Sequence, residues 1–235
     1  MRTRGFTLVE LLIVVAIIAT IAAIAIPTLI SARLSSNEAA AIATLKNIVS
    51  AQAVTRTSGV IDQDVDGIGE YGWFAEMGGA VNVRDSAGPN TGPLLNPSTL
   101  SASLALVNAN GIVTKSGYIF RVALPGGAGV PVVETAGGGS PTGEDADLCE
   151  AYWVVYAWPD NYSFTGRRVF AINQAGDVVQ SDNLNGATGT YEGTATMPPA
   201  DAAIENGSAG TIIGDFSRSN LPAPAVDGNT WRPVN

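Results

Sequence analysis

Hydrophobic and polar positions divide the chain into three unlike stretches. From Phe6 to Ile26 almost every position is apolar (FTLVELLIVVAIIATIAAIAI), and Glu10 is the one charge. As a helix this run is about 31 Å long, the thickness of a bilayer's hydrocarbon core. Beyond Pro27 the apolar residues thin to a stripe. Ile30, Leu34, Ala41, Leu45, Ile48 and Gln52 recur at helical steps, with Arg33, Ser36, Glu38, Lys46 and Asn47 between them. That is an amphipathic helix with one packed face. Pro27 removes a backbone hydrogen bond and predicts a kink, and Ser58-Gly59 is a suitable stop. The expectation is one kinked helix, with residues 6–26 in a membrane and 27–58 laid on a globular body formed by 59–235.

After residue 59 the periodicity changes. GWFAEMGG reads as a short helix, residues 84–99 as a Gly/Pro/Asn-rich loop, and Leu100–Asn108 as a short helix or strand before the Asn110-Gly111 turn. Four strands are expected. Gly117–Leu124 places Tyr118, Phe120, Val122 and Leu124 on one face, and Ala151–Trp158 is apolar on both faces, as in a covered central strand. Arg168–Ile172 and Asp177–Gln180 flank a hairpin turn at Asn173–Gly176. Residues 125–147 read as a flexible Gly/Pro surface loop. Residues 182–235 read as an irregular extension wrapping the sheet, with one further strand near Thr211–Phe216. The fold class is α+β: a long helix packed on an antiparallel sheet.

Charge and composition narrow the chemistry. The net charge of −9 argues against nucleic acid as a partner, since phosphates demand Lys/Arg patches. With no histidine, Ser-His-Asp, Cys-His and HExxH schemes are unavailable, so an enzyme is not the expectation. Cys149 is the only cysteine and stands among Glu144, Asp145, Asp147 and Glu150. It can close no disulfide within the chain, and its acidic neighbours predict an inert thiol.

Residues 62–72 read DQDVDGIGEYG. Asp62, Asp64 and Asp66 followed by Gly67 match the start of an EF-hand-type loop, in which alternate carboxylates converge on Ca²⁺; the Ile68 carbonyl and Glu70 would add oxygens. The twelfth position holds Trp73 where a bidentate Glu is required, so the loop is incomplete. A solvated acidic turn is the competing reading.

Glu10 is the feature that a plain membrane anchor does not explain, because a carboxylate inside an apolar span needs a partner. A secretory signal cut after Ala23-Ile24-Ala25 leaves it unexplained too. Arg2 and Arg4 on the short N-terminal flank predict a cytoplasmic start and a body outside the cytoplasm. Arg4-Gly5-Phe6-Thr7-Leu8-Val9-Glu10, followed by an apolar helix, resembles the class III leader of type IV pilins and type II secretion pseudopilins. The resemblance implies cleavage by a prepilin peptidase between Gly5 and Phe6, with residues 1–5 as leader, and methylation of the new amine on Phe6. It further implies that Glu10 neutralises that amine on a neighbouring subunit. It implies storage in the inner membrane, then assembly with identical or related subunits by a platform protein and a cytoplasmic ATPase. The product would be an extracellular pilus or, in the alternative, a periplasmic pseudopilus for secretion. Residues 62–72 also resemble a DxDxDGxGEYG segment of pilin-like proteins with large bodies. A conventionally secreted protein and an enzyme displayed on a filament are the remote alternatives.

Overall fold

A computed structural model describes residues 6–184, 190–205, 209–217 and 225–234. Its organising element is helix α1, Leu8–Ser58. Thr7 caps the start, with its hydroxyl accepting the Glu10 N–H, and Gly59 stops the far end at φ +60° by donating its N–H to the Arg56 carbonyl. Pro27 lies inside the helix without interrupting it. In the apolar part the hydroxyls of Thr20 and Thr28 donate to the carbonyls of Ala16 and Ile24, at 2.9 and 3.0 Å. Both polar groups are thereby satisfied within the helix itself.

Packing begins at Leu34 and follows the stripe Leu34, Ala41, Leu45, Ile48, Ala51 and Gln52. Ile30, the first residue of the expected stripe, remains 41% exposed. Glu38, expected on the solvent side, is buried instead. Its carboxylate accepts from the Arg168 guanidinium at 2.5 and 2.8 Å and from the backbone N–H groups of Arg167 and Arg168. This pair clamps α1 to the sheet.

The sheet is antiparallel and seven-stranded: β1 Val113–Lys115, β2 Tyr118–Pro125, β3 Pro131–Val133, β4 Val154–Pro159, β5 Val169–Asn173, β6 Val179–Ser181 and β7 Arg232–Pro233. The spatial order is β1-β2-β4-β5-β6-β7, with β3 also paired to β2. The four expected strands form its centre. The three additions are two- or three-residue edge strands, too short to carry a period-two signal. Ala151 belongs to helix α4, Ala146–Ala151, which Asp145 caps, so the central strand starts later than expected.

The doubly apolar β4 is explained by cover on both faces. On one side Tyr118, Phe120, Val122, Leu124, Val155, Ala157, Phe170 and Ile172 pack with Leu45 and Ile48 of α1. On the other, Ile119, Val154, Tyr156, Trp158, Val169 and Ala171 meet Tyr191, Ala202–Ile204, Phe216 and Trp231 of the C-terminal extension. The extension is pinned by polar bonds as well. Ala203 N–H donates to the Tyr156 hydroxyl, and Trp158 Nε1 donates to the Gly193 carbonyl. The strand expected near Thr211–Phe216 reduces to a single bridge between Ile204 and Phe216. Pro222 and Pro224, also part of the expected extension, lie outside the described residues.

Helix α2, Phe74–Met77, falls where a short helix was expected, and α3, Ala102–Ala105, decides the stretch read as helix or strand. Residues 125–147 are not a plain surface loop. They contribute β3 and bury Ser140 and Glu134, the latter as acceptor for N–H groups that α2 presents.

Candidate functional site

The first site is the free part of α1. Every large apolar side chain from Phe6 to Ile30 is at least 41% exposed. Among the described residues this is the one helix long and apolar enough to cross a membrane, and none of that stretch is buried against the body. Along one side, Ile21, Ile24, Ala25, Ile26, Thr28, Leu29 and Ala32 form a continuous exposed surface that is almost wholly apolar. At its start Thr7 and Glu10 form a reciprocal capping box. Glu10 Oε2 accepts the Thr7 N–H at 2.9 Å and the Thr7 hydroxyl at 2.7 Å. The carboxylate therefore stands one turn from Phe6 at the helix start. Gly5 lies outside the described residues.

The second site is the turn after α1. Gly69 lets it fold back, since a Cβ there would meet the Arg56 carbonyl. Asp62, Asp64 and Asp66 do converge, each offering a carboxylate oxygen within 4.8 Å of the others. Asp64 forms a second such group with Asp147 and Glu150, which the sequence places far away. Desolvation, and then Asp66, Asp147 and Asp62 around it, raises the Asp64 carboxyl above its ordinary range. Desolvation and the neighbouring Asp66, Asp64 and Asp147 do the same to Glu150. One carboxylate oxygen each of Asp62 and Glu150 is buried without a hydrogen-bond donor. The backbone already engages part of the set: Gly67 N–H donates to Asp62 and Ile68 N–H to Asp66.

Glu70, expected from spacing among the ligands, does not stand in either group. It is fully buried, accepting the Gln63 N–H at 2.6 Å with one oxygen and Arg84 Nη2 at 3.0 Å with the other. Two residues past the glycine turn the chain re-enters the core, and Arg84 is the partner that makes burial of this carboxylate tolerable.

Arg84 centres a cluster that no sequence spacing announced. It is fully buried, with Nη1 2.6 Å from Glu76, Nη2 2.5 Å from the Tyr71 carbonyl and Nε 3.9 Å from Glu144. Glu76 also accepts the backbone N–H groups of Trp73 and Arg84, and Ser140 donates to Glu144. Nearby, Glu134 accepts the N–H groups of Phe74 and Ala75 at the start of α2. Burial pushes the Glu134 carboxyl up to about 8, only partly offset by those bonds. Burial likewise raises Glu70 and Glu144, with Arg84 opposing. Cys149, at the edge of this cluster, is buried and its thiol is pushed up to about 12, again by burial first. These carboxylates are sealed structural partners of a cation and of backbone N–H groups, an arrangement that offers no open acid/base pair to a substrate.

Comparison with known proteins gives three findings. Residues 1–26 match the prokaryotic N-terminal methylation motif. The chain is similar to the type IV major pilin protein PilA of Myxococcus xanthus, 42% identical over 86 residues, 37% of this chain and 38% of that one. It is also similar to the type IV wide pilus major component PilA4 of Thermus thermophilus, 51% identical over 51 residues, 22% of this chain and 39% of that one. The chain thus spans about two fifths of the length of the curated relatives it matches. No solved structure matched it.

Proposed function

We infer that this chain, whose N-terminal motif and relatives are those of the type IV pilin superfamily, is a structural subunit of a type IV pilus. The observation that carries the reading is the contrast within α1. One half is packed on a body of its own, and the other projects a fully exposed apolar surface that water would not tolerate. Such a helix is held first by a bilayer and then by the same helix of neighbouring copies.

In this reading Gly5 and Phe6 flank the processing site, and Phe6 carries the methylated amine. Glu10 neutralises that amine on a neighbour, so that a misregistered copy leaves a charge unpaired in an apolar bundle. A prepilin peptidase, a platform protein and an assembly ATPase serve the process, from an inner-membrane pool with the body outside the cytoplasm. The relatives' names, both pilus components, favour a pilus over a pseudopilus. The body acts as the displayed surface and not as an enzyme. Mass spectrometry of the mature chain tests the processing step. A terminus at N-methyl-Phe6 supports it, and a terminus at Ile26, the product of a conventional signal cut, defeats it.

The aspartate turn supports a second, local role: a Ca²⁺ site formed by Asp62, Asp64, Asp66 and the Ile68 carbonyl. Asp147 and Glu150, grouped with Asp64, are further carboxylates within reach of that aspartate. Calcium would relieve the repulsion that raises Asp64 and Glu150. Thermal unfolding with Ca²⁺ and with chelator is the test: the transition rises with the ion in the parent chain and is unmoved in Asp64→Ala. Equal transitions in the parent chain remove the calcium role.

A further inference from the structure

The acidic turn carries one residue that neither processing nor metal binding uses. Val65, between Asp64 and Asp66, is held at φ +62° with 70% of its surface exposed. A β-branched residue in left-handed backbone is a true outlier, and an apolar side chain offered to water from such a position lacks a reason within its own subunit.

A receiving surface exists elsewhere on the same chain. A groove of about 420 Å³ lies between the packed half of α1 and the segment around α3. Ala51, Val54, Leu100 and Leu104 form its apolar lining, and Asn47, Ser50, Thr99, Ser101 and Lys115 line it as well. Lys46 is exposed on the adjoining flank of α1. Neither lysine is ion-paired within the chain among the described residues. Groove and turn are thus complementary twice over: an apolar floor for Val65, and cations for the aspartates beside it.

The two adjoin α1 at different levels. The groove centres on Ser50 and the turn begins past Gly59, roughly 13 Å further along α1 at 1.5 Å per residue. We propose that the Asp64-Val65-Asp66 tip of one copy seats in the α1–α3 groove of the next, displaced by that distance along parallel helices. Such a contact uses two different patches, so it does not close on itself and repeats into a filament. It continues outward from the helix bundle that the pilus reading already requires, and it rests on that reading. A bound Ca²⁺ would order the tip and still leave the five carboxylates around it with net negative charge.

Disulfide trapping in filaments of the full chain tests the contact. Cysteines replace Val65 and Ser101, singly and together; native Cys149 is buried and stays out of the reaction. After oxidation of sheared filaments, the Val65→Cys/Ser101→Cys chain should run as a ladder of multimers, and each single variant as monomer. In parallel, Lys115→Glu should lose most of its filament yield, and Lys115→Arg should keep it. Filaments that assemble normally but give no ladder, or that link Val65→Cys only to itself, overturn the contact while leaving the pilus reading intact. A parent chain that forms no filament defeats both.

Discussion

The two halves of α1 share one continuous backbone and differ in everything they touch. From Leu34 to Thr55 the buried positions lie at helical spacing, and the polar ones that fall on that face find partners inside the chain: Glu38 with Arg168, Gln52 with the Gly72 backbone. From Phe6 to Ile30 no stripe exists, because every side is apolar and every side is exposed. A helix with one apolar face belongs to its own domain. A helix apolar all round belongs to a medium or an assembly that the single chain does not contain. The same lesson separates the two carboxylate groups. The aspartates after α1 crowd together at the surface, whereas the glutamates around Arg84 enclose a cation.

The sharpest way to break the first contrast is Glu10→Ala. Insertion and leader cleavage should persist while filament yield collapses, read by sheared-fraction immunoblot against total membrane protein. Normal yield would remove the assembly role of Glu10. Next in size is Arg84→Met, which leaves Glu70 and Glu76 buried without their cation. Unfolding of the body in detergent should cost about 3–5 kcal/mol less than in the parent chain. A change well below that would mean that the cluster relaxes toward water.

A matched pair of truncations compares the two halves of the helix directly. Leu45→Ala empties a fully buried site and should destabilise the body by about 2–5 kcal/mol. Leu12→Ala, in the exposed half, should leave body stability within about 0.5 kcal/mol. Similar losses from both would mean that the halves are not energetically separate.

A further contrast is the pH dependence contributed by Glu134. Its folded pKa of about 8 lies above the ordinary carboxylate value, so the folded state holds the proton more tightly than the unfolded one. The associated stability is fully present below about pH 4.5 and is lost as pH rises through about 8. Glu70 and Glu144, shifted the same way, add to the slope. Glu134→Gln should flatten thermal stability across that window; an unchanged slope would assign it to other groups.

Much of this architecture was legible in residue order. Periodicity delimited α1 to within a few residues, located the four central strands, and marked β4 as covered on both faces. The run from Gly5 to Glu10 carried the pilin resemblance, and residues 1–26 match the N-terminal methylation motif. What stayed hidden depended on contacts distant in sequence. Glu38 looked like a surface residue because its partner stands at Arg168. Glu70 looked like a metal ligand because spacing cannot tell which way a turn re-enters the core. Asp147 and Glu150 join Asp64 only through the fold, and the glycine-rich run before them gave no sign that Glu134 would cap α2. The edge strands were invisible because two or three residues carry no period.

The most direct measurement is electron microscopy of sheared cell-surface material, with antibody raised against the body. The pilus reading predicts long fibres labelled along their whole length, containing chains that begin at N-methyl-Phe6 and disappearing in Glu10→Ala cells. Mature chain confined to the cell envelope, with no labelled fibre outside it, would contradict that reading.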